Sequence, residues 1–364
     1  MKFKITVKSP FIIKDNEHIS SFEIFLDKNG KCKILNLENL KLDKAEIKII
    51  KELISNSLDP FNSRIDFYRY NELQKEYNRI SKNNKIFYEN DIENLISGTY
   101  KPKNEISMPI SNISLEGGNS IIPYIPGSSI KGEIRKSMLY SYLSNNVRVK
   151  EDVKKCISRF KPIDKKFNQN MKDCFNKLFH YSDNKPMFQN YMRYDPAIDI
   201  LRFLEVSDFI PKNFSLSLRE MRRVNSSGKN VGKGIPVQAI MIESGEFIGD
   251  IKLNIPKGEK SKEFIRSFNQ ILGNNYSDEN QILLDIIEKM KWQEKDNKEG
   301  VIFYLGFGKG AEKTSIASID PEFKSIYENA MKGYKGRPSG RWPPSTFFVL
   351  DDKKRPGRLL IEAI

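Results

Sequence analysis

Residues 123–136 read Pro-Tyr-Ile-Pro-Gly-Ser-Ser-Ile-Lys-Gly-Glu-Ile-Arg-Lys. Pro126-Gly127 breaks the preceding segment, and Ser128 or Ser129 offers a cap for a helix. Ile130, Ile134 and Met138 then recur every fourth residue as one apolar stripe. Lys131 and Arg135 lie one turn apart on a neighbouring face. Gly132 inside the first turn costs about 1 kcal/mol relative to alanine, which makes sense where another backbone or a ligand comes very close. The free N–H groups of a helix start bind anions, and two cations one turn apart suit consecutive phosphates. The same residues also describe a loop followed by a core helix with ordinary surface charge.

Working outward, the chain has 364 residues, enough for two domains with separate cores. Lys and Arg number 61 against 47 Asp and Glu, a formal charge of +14. So basic a balance puts polyanions first among partners, although an AT-rich genome would also inflate the Lys, Asn and Ile seen here. Cys32, Cys156 and Cys174 are far apart and odd in number, no CxxC occurs, and only His18 and His180 could join them. A structural zinc site is therefore not expected. No apolar run reaches the roughly 18 residues of a membrane span, the start reads as a strand rather than an export signal, and a reducing cytoplasm fits.

Taken in order, residues 2–13 are strand-like, with Phe3, Ile5 and Val7 alternating with polar residues until Ser9-Pro10. Residues 21–26 and 31–37 predict a hairpin around Asp27-Lys28-Asn29-Gly30. From 38 to 97 the spacing of Leu40, Ile47, Ile50, Leu53 and Ile54 is helical, and 105–125 reads as irregular. Short helices are expected over 147–190, strands over 198–209 and 214–223, and a hairpin over 236–255 turning at Glu243-Ser244-Gly245-Glu246. Two amphipathic helices follow, near 260–272 and 279–292, and strands close the chain near 346–350 and 358–363.

Three further stretches carry polar chemistry. Residues 222–234, Arg-Arg-Val-Asn-Ser-Ser-Gly-Lys-Asn-Val-Gly-Lys-Gly, cannot build a core and predict a loop between strands. Its Arg222, Arg223, Lys229 and Lys233 are suited to reach over a nucleic-acid backbone, though an exposed loop without a partner has the same composition. Residues 301–314 run a buried strand into Gly306, Gly308 and Gly310, with Lys309 between, and closely spaced glycines can form an anion-binding nest or a plain tight turn. Neither the dinucleotide nor the Walker spacing is met, because Ala311 and Glu312 stand where glycine is required. Arg341 beside Trp342 could clamp a base by stacking, or the indole could plug a sheet edge.

Acid–base chemistry has few candidates. His18 and His180 are the two histidines, Asp351-Asp352 runs into Lys353-Lys354-Arg355, and the spacing of Asp199 and Asp208 marks no metal site. Binding without catalysis, and without a metal or cofactor, is the expected chemistry.

The run Ile125-Pro126-Gly127-Ser128-Ser129-Ile130-Lys131-Gly132-Glu133-Ile134-Arg135 resembles the signature of the RAMP proteins of CRISPR effectors, and Gly306-Phe307-Gly308-Lys309-Gly310 resembles the glycine-rich loop of that superfamily. The 236–247 segment and Trp342-Pro343-Pro344-Ser345-Thr346 are similar to the type III-A (Csm) family member seated at the crRNA 3′ end. The resemblance implies an α+β chain of two ferredoxin-like (RRM-like) domains, 1–212 with helical insertions at about 40–105 and 147–190, and 213–364 with the glycine-rich loop. It implies a cytoplasmic, non-catalytic subunit that caps the crRNA and assists its 3′-end maturation in antiviral defence. Its partners would be the crRNA, a neighbouring backbone RAMP subunit and host 3′-trimming nucleases, with no membrane. Gly127, Ser128, Ser129, Lys131 and Arg135 would meet the crRNA backbone, with Gly306, Gly308, Lys309 and Gly310 as a second contact. The 222–234 loop would be a thumb-like hairpin that kinks the RNA. The alternative within the same superfamily is a metal-independent endoribonuclease acting on CRISPR repeat RNA, which would need His18 or His180 near the glycine loop.

Overall fold

Lys2–Val7 (β1) alternates as its sequence predicts, burying Phe3, Ile5 and Val7 and leaving the residues between them partly exposed. The computed structural model describes residues 1–20, 24–26, 31–36, 43–48, 75, 88–96, 105–109, 111–112, 120–159, 173–180, 195–225, 236–258, 261–294, 297–308, 322–325, 346–350 and 352–364. Among these described residues, seven further strands come ahead of the helix that begins at Gly127: β2 (Lys14–Ser20), β3 (Ile24–Leu26), β4 (Lys31–Ile34), β5 (Ile92–Asn94), β6 (Glu105–Pro109), β7 (Ser111–Asn112) and β8 (Ile122–Pro123). Helix α1 (Gly127–Asn145) is followed by α2 (Val147–Ser158), β9 (Leu204–Val206), β10 (Ile210–Asn225) and β11 (Val237–Leu253). Helices α3 (Ser261–Leu272) and α4 (Glu279–Glu288) precede β12 (Val301–Tyr304), β13 (Thr346–Leu350) and β14 (Arg358–Ala363).

The centre of the sheet runs β14-β1-β11-β10, each neighbour antiparallel to the next. With α1 between β1 and β10, and α3 and α4 between β11 and β14, this is the β-α-β-β-α-β order of a ferredoxin-like unit. The helices pack beside one another, and the stripe predicted from Ile130, Ile134 and Met138 is fully buried. That unit draws on both sides of residue 212, a position that falls inside β10.

Several local expectations hold. β3 and β4 pair antiparallel with Leu26 opposite Cys32, α3 and α4 lie where their apolar spacing put them, and both closing strands form. Others change. Val237–Leu253 is one long strand, not a hairpin: the register shifts between Ser215 and Leu216, which face Ser244 and Ile242 and leave Glu243 as the extra residue of a bulge. Gly245, at φ +150, stays in register opposite Phe214, while Glu243 accepts hydrogen bonds from Ser217 (2.6 Å) and from two nitrogens of Arg219 (2.6 and 2.7 Å). The true hairpin is β10–β11, and its connection, 226–235, lies outside the described residues. In 198–209 only Leu204–Val206 is strand. Asp195 and Asp199 side chains accept the Ala197 and Leu201 N–H groups (2.9 and 2.8 Å) and fold the stretch into 3₁₀ turns, the local competition expected of Asp. The segment read as irregular, 105–125, supplies β6, β7 and β8, and Ile92–Asn94 is a strand parallel to β10 inside the stretch read as helical. Most of 38–97, like much of 147–190, lies outside the described residues; residues 44–48 are helical, and α2 is the longest described element of the later stretch.

The cysteines are not three separate thiols. Cys156 on α2 and Cys174 form a disulfide, while Cys32 is a buried thiol outside it. Spacing could not show this, because the pairing is made by α2 lying against the 173–180 segment. Among the described residues, no helix is long and apolar enough to cross a membrane.

On β12, Tyr304 donates its phenolic hydrogen to Glu294, which also holds Arg358 at 3.0–3.2 Å. Burial first, and then the Glu294 contact, push the Tyr304 phenol up to about 12. An unfolded tyrosine ionises near about 10, so between those values the unfolded chain loses its proton before the folded one. Stability therefore falls as pH climbs from about 10 toward 12. Urea midpoints measured across that window should fall less steeply for Tyr304→Phe than for the parent chain; equal slopes would contradict the raised phenol.

Candidate nucleic-acid interface

The described residues among those assigned to RNA from the sequence gather at two places along β10. The first is the start of α1. Pro126 precedes the helix, its carbonyl accepting the Ser129 and Ile130 N–H groups (2.9 and 3.3 Å), and no serine side chain caps it. The cap comes from elsewhere: Asp208 Oδ1 accepts the Gly127 N–H at 2.8 Å, placing a carboxylate where the helix dipole favours one. Gly127 is buried, and a Cβ there would lie 2.2 Å from the Val206 carbonyl oxygen and 2.6 Å from that of Ser207. The close backbone approach expected of Gly132 thus belongs to Gly127; Gly132 is exposed, and a methyl added there would have nothing within 4 Å. Ser128 is exposed and Ser129 half-buried.

The two cations on this helix are held by the chain itself. Lys131 donates to the Leu204 carbonyl at 2.7 Å, and burial lowers its pKa. Arg135 meets the buried Asp199 carboxylate at 2.5 Å and lies 4.8 Å from the Phe179 ring centre. His180 stands beside the same aspartate. Its Nε2 accepts the Asp195 N–H at 3.2 Å, and burial lowers its pKa against the pull of Asp199 and Asp195, which favours the neutral imidazole. His180 is therefore associated with the Asp199 cluster; His18 lies on β2 opposite Ser107. Among the described residues, no group of three or more His, Cys, Asp or Glu is arranged to hold a metal ion.

The second place is the far end of β10. Gly306 (φ +88) and Gly308 (φ +85) turn the chain sharply after β12. The Phe307 N–H between them is donated to the Ile12 carbonyl at 2.8 Å, and a Cβ on Gly306 would sit 2.4 Å from that same oxygen. Gly308 lies over Met221 and Phe348. β13 pairs with β10 so that Arg222 faces Val349 and Arg223 faces Phe348, which puts the exposed Arg223 on the face of the sheet that carries the glycine corner and the exposed Arg222 on the other face of the same strand end. Arg222 also contacts Glu220 at 2.9 Å. Thirteen residues of near-extended chain separate Asp208 from Met221, so the two places are roughly 40 Å apart along the strand and form separate contacts rather than one pocket. Lys229, Lys233, Lys309, Gly310 and Arg341 lie outside the described residues.

Sequence reasoning gave no role to Asp199 and Asp208, which anchor the first place, and did not foresee the pairing of Phe307 with Phe348 at the second. Asp199 and Asp208 lie 64 and 81 residues from the groups they hold. The two rings meet only through the folding back of β13 onto β10. No spacing signal could have joined partners so distant.

No protein-family model matches this chain, and no curated protein matches its sequence. Solved structures do match over its whole length. The fold is that of a chain in a cryo-EM structure of a Csm–crRNA–target RNA ternary complex of a type III-A CRISPR–Cas system, with TM-score 0.63, 17% identity and 100% of both chains covered. It is also similar to the crystal structure of Csm5 from T. onnurineus, with TM-score 0.53, 16% identity, and 98% and 99% of the two chains covered. The chain therefore has a Csm5-like fold.

Proposed function

We propose that this chain is a non-catalytic crRNA-binding subunit of a type III-A CRISPR effector complex, one that caps the crRNA 3′ end and assists its maturation in antiviral defence. The observation that carries this reading is the full-length fold likeness to a subunit of a Csm–crRNA–target RNA complex and to Csm5; the +14 charge agrees with it. Its partners would be the crRNA, the neighbouring backbone RAMP subunit and host 3′-trimming nucleases. The second ferredoxin-like domain would be built on the far ends of β10 and β11 with β13. The complex would work in the cytoplasm, a compartment whose reducing poise opposes the Cys156–Cys174 bond.

RNA contact is assigned first to Arg222, Arg223, Gly306 and Gly308, which share one end of the sheet, and then to the exposed Ser128 beside the α1 start. Lys131, Arg135 and Gly127 would act there chiefly by holding that start in place. The test is titration of a labelled single-stranded CRISPR repeat RNA with the full chain at several salt concentrations. Arg222→Ala with Arg223→Ala should flatten the log–log salt slope by roughly 1.4, about 0.7 for each lost contact to a single strand. No binding near physiological salt would overturn the reading. Metal-free cleavage of the repeat RNA would replace it with the endoribonuclease.

A further inference from the structure

We propose that Phe307 and Phe348, together with Lys14, form a stacking clamp for one unpaired base of RNA; this rests on the RNA-binding reading above and names a site within it. Phe307 is presented on a rigid corner, between two glycines in the left-handed region and with its own N–H tied to Ile12. Its ring centre lies 5.1 Å from that of Phe348, the planes inclined at 47°. Both rings are half-buried, resting on the small core of Ile12, Met221, Ala239, Met241 and Leu350 but not enclosed by it. Aromatic rings held at the edge of a core with part of their surface in water are platforms on which a base of any identity can stack.

Lys14 supplies the second observation. Its ammonium sits 4.0 Å from the centre of the Phe307 ring, and among the described residues no carboxylate pairs with it. Burial is the one influence lowering its pKa. An ammonium on a ring face gains far less than one on a phosphate. When RNA docks, the ammonium moves from ring to phosphate and a base takes the vacated face of Phe307. Arg223, opposite Phe348 in the strand register, lies on the same face of the sheet two pairs beyond Met221 and Leu350 and extends the cationic path.

A buried aromatic plug with no ligand would give the same contacts, and two measurements on the full chain separate the cases. First, affinity for an unstructured oligouridine is compared for the parent, Phe307→Leu, Phe307→Tyr and Lys14→Gln. Phe307→Leu should weaken binding roughly 5- to 150-fold, the value of one stacked base, with the salt slope unchanged. Phe307→Tyr should bind as the parent does, and Lys14→Gln should flatten the slope by about 0.7. Second, the parent is irradiated with oligouridine carrying 5-iodouridine, and the crosslinked residues are mapped by mass spectrometry; Phe307 or Phe348 should be among them. Parent-like affinity of Phe307→Leu, or crosslinks confined to other residues, overturns the clamp while leaving RNA binding intact. Should Phe307→Leu fail to fold, the crosslinking result on the parent decides. Failure of the parent to bind any RNA overturns both this and the function it rests on.

Discussion

Gly127→Ala should destabilise the protein by on the order of 3 kcal/mol, the upper part of the range for forcing extra volume into a packed site. The added methyl would meet two backbone carbonyl oxygens at 2.2 and 2.6 Å. Neither belongs to a flexible side chain that could swing aside. Relief requires the α1 start to move away from Val206 and Ser207, which in turn loosens the Asp208 carboxylate from the Gly127 N–H. Gly132→Ala, five residues on in the same helix, should do the opposite. Nothing lies within 4 Å of its added methyl, so the gain in helix propensity, up to about 1 kcal/mol, is kept. Urea denaturation of the two variants beside the parent tests the pair. Midpoints shifted in opposite directions are expected, and a neutral Gly127→Ala would mean that the α1 start does not sit against the 206–207 backbone.

Arg135→Ala should cost roughly 3 kcal/mol, the low end of the range for removing one partner of a buried ion pair. The low end applies because the Arg135 side chain keeps 25% of its surface in water, whereas Asp199 keeps 3%. What is lost is the guanidinium's contact with the carboxylate and its packing on Phe179. Arg135→Lys keeps the charge but not the planar contact, and should fall between. Adding Asp199→Asn to Arg135→Ala should recover part of the loss, since the burial of an uncompensated charge is then removed; a strictly additive double variant would show that the two residues are not coupled. The same arrangement bears on RNA binding. Weakened binding by Lys131→Ala with Arg135→Ala measures a phosphate contact only where both variants remain folded at the assay temperature, because each side chain also holds its own chain together.

Local periodicity explains what was legible in the sequence. β1, the β3–β4 pair, α1, α3 and α4 each carry apolar spacing that matches the element they form, so neighbours in sequence decide them. The 243–246 segment misled because Glu-Ser-Gly-Glu has turn chemistry, yet Ser217 and Arg219 on the adjacent strand satisfy Glu243 and turn the irregularity into a bulge. Ile198–Phe203 misled because Asp199 competes for backbone N–H groups more effectively than its β-rich neighbours favour a ladder. At the candidate interface, the residue types were legible and their employment was not. Lys131 and Arg135 read as cations available to a phosphate, but the Leu204 carbonyl and Asp199 are brought to them only by the return of the chain 64 to 73 residues later. Phe307 and Phe348 are likewise joined by strand pairing, which no motif around either residue encodes.

The placing of β1 between β11 and β14 governs how the molecule can be made. Phe3 is bonded in register to Gly249 on one side and to Ala363 on the other, so both neighbours of this strand are supplied by residues far later in the chain. Such closure of distant ends is slow, and in the interval an apolar strand must wait unsheltered. Until β11 and β14 both reach β1 the sheet has no finished centre.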